Sequence, residues 1–114
     1  SPDRDIAKAL ALKYKCDQVC VTRGAHGAGM FVTVTSAWVD HPGFEVTPVD
    51  TIGSGDAFLA RLLKGILGGE PHAMALAEAN AVGAYVATCN GATPEHDEQA
   101  IKEIRNSSGR NFAI

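Results

Sequence analysis

The first part of the chain has a pattern typical of an α-helix followed by a β-strand. Three apolar side chains recur at four-residue spacing and predict a surface helix with one apolar stripe: Ile6, Leu10 and Tyr14. Asp3 is placed to cap the start of that helix. The run "QVCVT" at residues 18–22 is short and β-rich, and its three central residues are all apolar. It predicts a strand of a parallel sheet, buried on both faces.

The next segment alternates between polar and apolar residues over two short runs, residues 30–34 and 37–39. Thr35 and Ser36 lie between the runs, where a turn would join them. This arrangement indicates a β-hairpin. We expect both of its strands to be antiparallel edge strands.

The remainder of the chain is dominated by helical patterns. Residues 57–67 are apolar almost all round, which predicts a buried helix that ends at Gly68 and Gly69. Pro71 can start a second helix, whose many alanines permit close approach to a neighbouring element. A third helix is predicted over about residues 95–105.

This order of elements indicates an α/β fold with few strands and several helices. An α/β sheet needs several strands with helices on both faces, whereas only one core strand is evident here. We therefore expect the remaining strands to lie on chain outside this sequence.

Length and charge narrow the classes of function. The 114 residues suit one domain, and 46% hydrophobic residues suffice for a core. The net charge is −3 and the ten basic residues are scattered, so we expect neither a nucleic-acid partner nor a membrane. The three cysteines lack metal spacing, and there is no signal-peptide pattern and no long apolar span. These features favour a cytoplasmic protein with a small neutral or anionic ligand.

The stretch "VDTIGSGDAF", residues 49–58, carries the candidate chemistry. Gly53 and Gly55 allow a tight turn and leave room for a ligand beside the backbone. If a helix begins near Ser54, its free amides and positive dipole end form an anion site. Asp56 then lies in the first helical turn, next to that site.

An anion site beside a carboxylate suits phosphoryl transfer to an alcohol, with Asp56 taking the hydroxyl proton. In the plainer interpretation, Asp56 only complements the helix dipole and the glycines only form a loop. The stretch is not a Walker loop, because no lysine follows Gly55. The run "GAHGAG" at residues 24–29 is not a dinucleotide fingerprint, because a strand pattern follows it.

Two other functions stay open at this point. One is a non-catalytic module that binds a nucleotide or an anion. The other is an S-adenosylmethionine-dependent methyltransferase, whose Asp-x-Gly-x-Gly-x-Gly loop "DTIGSGDA" resembles. Against the methyltransferase stand Ala57 in place of the third glycine and a proline-broken run before Asp50. No second strand follows to carry a ribose-binding acid.

Two segments resemble the ribokinase-type (PfkB) carbohydrate kinases. "VDTIGSGDAF" is similar to their C-terminal signature Asp-Thr-x-Gly-Ala/Ser-Gly-Asp, and "VTRGAHGAGMFV" to their preceding Thr-x-Gly-x-x-Gly segment. The resemblance covers nearly the whole chain and is strongest to bacterial fructokinases. It implies the C-terminal, nucleotide-binding portion of a ribokinase-like fold, a Rossmann-like three-layer α/β/α architecture, over residues 1–114 as a single segment. The N-terminal sugar-binding part and the lid would be absent.

The resemblance also implies roles for individual residues. Asp56 matches the catalytic base, and Gly53, Ser54 and Gly55 match the anion hole around the ATP phosphates. The positions that match the nucleotide side are Thr22, Gly24, Gly27 and, on the adenine side, Asn80. Taken without the family, Asn80 would be a solvent-facing or helix-contacting amide, and the two glycines would be ordinary turn residues.

A monovalent-cation site is implied as well, formed by Asp50, the Ile52 carbonyl and the loop near residues 90–93. Asp50 could equally cap its turn through an Asx bond. The expected ligands are ATP, Mg²⁺ and K⁺, with a small-molecule sugar as the substrate, and the intact enzyme could be a homodimer. The groups that hold the sugar and an Asn-x-x-Glu motif that organises Mg²⁺ are missing from this sequence. We therefore expect these residues alone not to phosphorylate sugar.

Overall fold

The computed structural model describes residues 2–89 and 97–112. Its elements are listed in chain order: α1 (Pro2–Tyr14), β1 (Gln18–Thr22), a 3-10 turn (Gly24–His26), β2 (Ala28–Val32), β3 (Ala37–His41), α2 (Ser54–Leu67), α3 (His72–Thr88) and α4 (Glu98–Phe112). No helix in this part of the chain combines the length and the apolar character needed to cross a membrane.

The described strands form one sheet in the order β1-β2-β3, with both pairs antiparallel. The hairpin of β2 and β3 is confirmed, and Ser36 adopts φ 51° in its turn. The expectation that both hairpin strands are edges is wrong for β2, which lies between its two neighbours. The parallel pairing expected for β1 is not found here. Its described partner is β2, which follows after a loop too short for a parallel crossover.

Helix α1 covers one face of the sheet with its alanines. Ala7 and Ala11 are fully buried and form a cluster with Phe31, against which Trp38 also packs. The predicted apolar stripe is wrong as a buried face: Ile6 is 55% exposed and Tyr14 is 62% exposed. The small alanine side chains let the helix backbone come close to the sheet, so the larger side chains point away from it.

The helices α2 and α3 cover the opposite face. The main core joins Met30 of the sheet to Leu62 of α2 and to Leu76 of α3. The expectation of close helix approach is confirmed at Gly83, where an added Cβ would lie 3.2 Å from the Ser54 carbonyl oxygen and 3.4 Å from Phe58 Cβ. The result is three layers, with α1 on one side of the sheet and α2 and α3 on the other.

Helix α2 is only half buried, contrary to the prediction. Leu62 and Gly65 are its buried residues, whereas three leucines one turn apart form an exposed apolar stripe: Leu59 (52%), Leu63 (47%) and Leu67 (85%). The prediction assumed that other elements pack on every side of the helix. Among the described residues, α2 packs on α3 and on the edge of the main core, and its other side is exposed. The predicted end of α2 is confirmed, because Gly68 caps it and Gly69 takes φ 81°.

Two further sets of contacts position the segment after β3 and the start of α4. Phe44, which follows β3, packs against Ala81 and Val82 of α3 and Ile101 of α4. Asp97 caps α4, since its carboxylate accepts hydrogen bonds from the amides of Gln99 and Ala100 at 3.0 and 3.2 Å. Helix α4 therefore begins at Glu98 and continues to Phe112, beyond the predicted end near residue 105.

Candidate active site

The α2 turn, residues 50–56, leads the chain into α2 through a left-handed glycine. Gly53 has φ 82° and precedes the first helical residue, and its carbonyl accepts the amide of Ala57 at 3.0 Å. The amide and hydroxyl of Ser54 both donate to the Thr51 carbonyl, at 3.2 and 2.8 Å. A β-carbon at position 53 would be strained at this φ, which explains the glycine. The predicted start of the helix near Ser54 is confirmed.

The amides that open α2 are available to a ligand. Within the described residues, the Gly55 and Asp56 amides have no hydrogen-bond acceptor, as is usual for the first turn of a helix. An added Cβ at Gly55 would meet nothing within 4 Å, so the space beside this backbone is open. The Asp56 side chain is exposed, and in this part of the chain it has no ion pair or hydrogen bond. Free amides and a free carboxylate therefore occur together in the first turn of α2.

The other end of this turn is attached to α3. The amides of Val49 and Asp50 donate to the Ala87 carbonyl at 2.8 and 3.1 Å. The Asp50 carboxylate accepts a hydrogen bond from the Ile52 amide at 2.9 Å, which is the Asx bond named above as the alternative to a cation-binding role. Among the described residues no group of three or more His, Cys, Asp or Glu side chains could hold a metal. The loop at residues 90–93 lies outside the described residues, so the cation site stays a prediction.

The β1–β2 turn, residues 23–27, contains the second predicted group. Thr22 is exposed at the end of β1, and Gly24 takes φ 59° in open space. Gly27 takes φ 83°, and an added Cβ there would lie 1.9 Å from the His41 carbonyl oxygen and 2.4 Å from the Gly43 nitrogen. The structure therefore explains Gly27 by contact between two backbones.

Asn80 lies in the buried face of α3, where it is 8% exposed. Its side-chain amide donates to the Leu76 carbonyl at 2.8 Å, one turn earlier in the same helix. Asn80 is therefore a helix-contacting amide, as expected when the family is left aside. Its role on the adenine side stays a prediction.

Sequence reasoning missed two residues that shape the β1–β2 turn. Arg23 pairs with Asp3 at 3.0 Å and with Asp40 at 2.8 Å. His41 accepts the Gly43 amide through Nδ1 at 3.0 Å, and burial lowers the pKa of its imidazole against the opposing charge of Asp40. The ion pairs span 20 and 17 residues along the chain, so no local pattern could have shown them.

The α2 turn and the segment after β3 both contact α3. Phe44 follows the segment that contacts Gly27 and packs on Ala81 and Val82, whereas the α2 turn contacts α3 at Gly83 and Ala87. A separate open groove of about 710 Å³ lies between α3 and α4 and is bordered by Val46, Thr47 and Tyr85, among others. None of the predicted site residues lines that groove. The predicted site residues therefore lie on the two turns and not in the groove.

Comparisons with known proteins identify the family of this chain. The family model described as pfkB family carbohydrate kinase matches residues 1–99. The chain belongs to this family. It is 35% identical over 101 residues to a 2-dehydro-3-deoxygalactonokinase of Haloferax volcanii, covering 85% of this chain and 31% of that protein. It is 45% identical over 65 residues to an Escherichia coli fructokinase, covering 56% of this chain and 20% of that one.

Solved structures show the same fold. An Arabidopsis thaliana ribokinase complexed with ribose and ATP superposes with a TM-score of 0.72 at 26% identity, covering 85% of this chain and 32% of that one. The phosphofructokinase-2 of Escherichia coli in complex with potassium gives 0.81 at 18% identity, covering 96% and 35%. The predicted ribokinase-like α/β fold is confirmed. This PfkB chain spans about a third of the length of these relatives.

Proposed function

We propose that this chain supplies the phosphate-binding and proton-accepting part of an ATP-dependent sugar kinase. The reaction transfers the γ-phosphoryl group of Mg-ATP to a hydroxymethyl group of a sugar. The observation that carries the proposal is the α2 turn, where the free amides of Gly55 and Asp56 adjoin an unpaired carboxylate. Family membership supports the proposal, because the matching family model is that of carbohydrate kinases and its match includes the α2 turn.

The α2 turn suits the phosphate oxygens for two physical reasons. The aligned peptide dipoles of α2 place partial positive charge at Ser54 and its neighbours, and the free amides can donate directly to an anion. Because Gly55 has no side chain, a phosphate can approach the main chain closely. Donors aimed at charge that develops in a transition state are worth about 10²–10³-fold in rate each. Gly53, Ser54 and Gly55 are the backbone of the proposed anion hole. Its free donors are the amides of Gly55 and Asp56, since the Ser54 amide and hydroxyl donate to the Thr51 carbonyl.

Asp56 is the proposed general base. As the sugar oxygen attacks phosphorus, its proton passes to the Asp56 carboxylate, and the bond from phosphorus to the leaving oxygen of ADP breaks. The carboxylate is suited to this step because it is exposed and is not engaged by another described side chain. Were it ion-paired, accepting a proton would first require breaking that pair.

The sugar is proposed only as a class, with fructose the first candidate to test. The two relatives described above carry the names of different sugar kinases, and the 45% identity to the fructokinase covers 56% of this chain. We propose that the acceptor is held by chain outside these 114 residues, which would also cover the stripe of Leu59, Leu63 and Leu67.

ATP enters this proposal with Mg²⁺, and K⁺ is the proposed ion beside the anion hole. Asp50 would contribute its carboxylate and Ile52 its carbonyl, with the rest of the site from the loop at residues 90–93. Support comes from the turn geometry, in which the Asx bond occupies one carboxylate oxygen and fixes the side chain next to the α2 turn. A cation there would orient the turn backbone; the fold relative named above is a complex with potassium.

Replacing Asp56 by Asn in the catalytically active kinase tests the proposal. We expect kcat to fall by about 10²–10⁴-fold, the usual contribution of a general base. The Kd of Mg-ATP should change by less than about twofold, since the base acts mainly in the transition state. Asp17→Asn, at an exposed carboxylate between α1 and β1, is the matched control.

Unchanged turnover in the Asp56→Asn variant would contradict the assignment of the base. ATP binding without any sugar phosphorylation in the wild-type kinase, across a panel of sugars that includes fructose, would instead favour the non-catalytic module. Tight S-adenosylmethionine binding without ATP binding would contradict both of these functions.

A further inference from the structure

Arg23 has a guanidinium group whose nitrogens are all engaged by the protein itself. Its Nη1 donates to Asp3 at 3.0 Å, and one Nη2 contact is to Asp40 at 2.8 Å. Nη2 also lies 3.3 Å from the His41 carbonyl oxygen, and Nε lies 3.3 Å from the His26 carbonyl oxygen. The side chain is only 25% exposed. Arg23 therefore joins the start of α1, the end of β3 and the β1–β2 turn.

The β1–β2 turn depends on few other contacts. Its backbone is closed by three hydrogen bonds. They join the Arg23 amide to the Gly27 carbonyl at 2.8 Å, the His26 amide to the Arg23 carbonyl at 3.1 Å and the Gly27 amide to the Gly24 carbonyl at 3.3 Å. Gly24, Ala25 and His26 are exposed, so no apolar side chain of the turn reaches the core. Its packing on the rest of the protein comes from Gly27 against the backbone of residues 41–43. Arg23 donates to a carbonyl on each side of that contact: that of His26 in the turn and that of His41 at the end of β3.

The charges around Arg23 argue against a direct phosphate contact. Two carboxylates pair with this one guanidinium, so an incoming phosphate would have to displace Asp3 or Asp40. Burial lowers the pKa of Arg23, but its hydrogen bonds to Asp40 and Asp3 outweigh that effect and raise the pKa above the ordinary value. The group is permanently charged and already neutralised by its partners.

We propose that Arg23 is a positioning residue that keeps the β1–β2 turn ordered before the nucleotide arrives. This inference rests on the proposed nucleotide role of Thr22, Gly24 and Gly27. Arg23 acts through the turn backbone and does not touch the ligand. A turn that is ordered in advance saves the nucleotide the cost of ordering it, which strengthens binding without any new contact.

The first test compares Arg23→Met and Arg23→Lys with the wild-type 114-residue chain. Arg105→Met is the matched control, since Arg105 also pairs with a carboxylate, that of Glu78, but lies on α4. We expect Arg23→Met to speed hydrogen exchange at the amides of His26 and Gly27 by at least about tenfold over the control. We expect it to weaken Mg-ATP binding by about tenfold. The lysine cannot span both carboxylates, so Arg23→Lys should recover only part of each effect.

The second test removes a partner of Arg23. Asp40→Ala should weaken Mg-ATP binding several-fold if Arg23 positions the turn, because the turn loses one anchor. If Arg23 contacts phosphate, the same variant frees its charge and should strengthen binding. Stronger ATP binding by Asp40→Ala would therefore overturn the proposal. A Kd within twofold of wild type in both Arg23 variants would also overturn it.

The two proposals fail in distinguishable ways. If the wild-type chain binds no Mg-ATP, the nucleotide function fails, and the exchange rates of the turn amides alone decide whether Arg23 orders the turn. If the chain binds Mg-ATP and the Arg23 variants keep wild-type exchange rates, the nucleotide function stands and the positioning role is wrong. Thermal unfolding of each variant shows that the comparison is made between folded proteins.

Discussion

The two glycine turns of the candidate site are built in opposite ways. In the β1–β2 turn, the backbone at Gly27 lies so close to His41 and Gly43 that no side chain fits. In the α2 turn, Gly55 faces open space and would tolerate a side chain without any contact. The fold itself requires the first glycine. The structure of the protein alone does not require the second, which points to something that binds in front of it.

The charged residues of the two turns differ in the same way. Each guanidinium nitrogen of Arg23 donates to a group of the protein, whereas Asp56, in the first turn of α2, has no described partner. A charged group with many internal partners stabilises structure, and a charged group with none is free for chemistry. Under the proposed function, the β1–β2 turn would be the prearranged part of the site and the α2 turn the reactive part.

A pair of glycine substitutions tests this contrast with the largest expected effect. Gly27→Ala should destabilise the protein by about 3 kcal/mol or more, because it combines backbone strain with overpacking against a neighbouring backbone. Gly55→Ala should leave the free energy of unfolding unchanged or raise it by up to about 1 kcal/mol, because alanine favours the helix. Chemical denaturation of the purified variants measures both changes.

The same pair has a second readout. Gly55→Ala should weaken Mg-ATP binding although the protein is as stable as wild type, because the new methyl group occupies the space of the approaching phosphate. Equal stability of the two variants would contradict the contrast between the turns. Wild-type ATP affinity in Gly55→Ala would contradict the close approach of phosphate to this backbone.

A smaller effect is expected from pH, and it concerns the β1–β2 turn. Burial lowers the pKa of His41 below its ordinary value of about 6.5, so the unfolded chain binds this proton more readily than the folded one. The resulting stability is fully present above about pH 6.5 and is lost as the pH falls toward the folded pKa. Protonation also removes the Nδ1 acceptor of the Gly43 amide.

Thermal unfolding between pH 5 and pH 8 measures this effect. We expect His41→Asn to show a shallower loss of stability on acidification than wild type, because asparagine can accept the Gly43 amide without titrating. His26→Asn, in the same region, controls for the loss of a histidine. Parallel pH profiles for His41→Asn and wild type would contradict this account of His41.

Features set by local sequence were predictable. The hairpin around Ser36, the end of α2 at Gly68 and Gly69, and the α2 turn with Asp56 all follow from turn chemistry and helix signals. The buried face of α1 was not predictable from its own pattern. Its large apolar residues predicted that their own face is buried. The face that packs on the sheet is instead that of Ala7 and Ala11, because small side chains allow closer packing.

Features set by distant residues could not be read from the sequence. The partners of Arg23 are Asp3 and Asp40, far from it along the chain. The need for glycine at position 27 arises from a backbone segment more than a dozen residues later, which becomes a neighbour only when β3 returns beside β2. The half-exposed face of α2 likewise depends on which elements lie around it.

The central claim is that the amides opening α2 receive phosphate oxygens. The most direct measurement is a titration of the isotopically labelled 114-residue chain with Mg-ATP, monitored through its backbone amide resonances. The account predicts saturable shifts at Gly53, Ser54, Gly55 and Asp56, with the amides of the exposed α1 face at Lys8 and Leu12 unmoved. Saturable ATP binding that leaves the amides of residues 53–56 unshifted would contradict it.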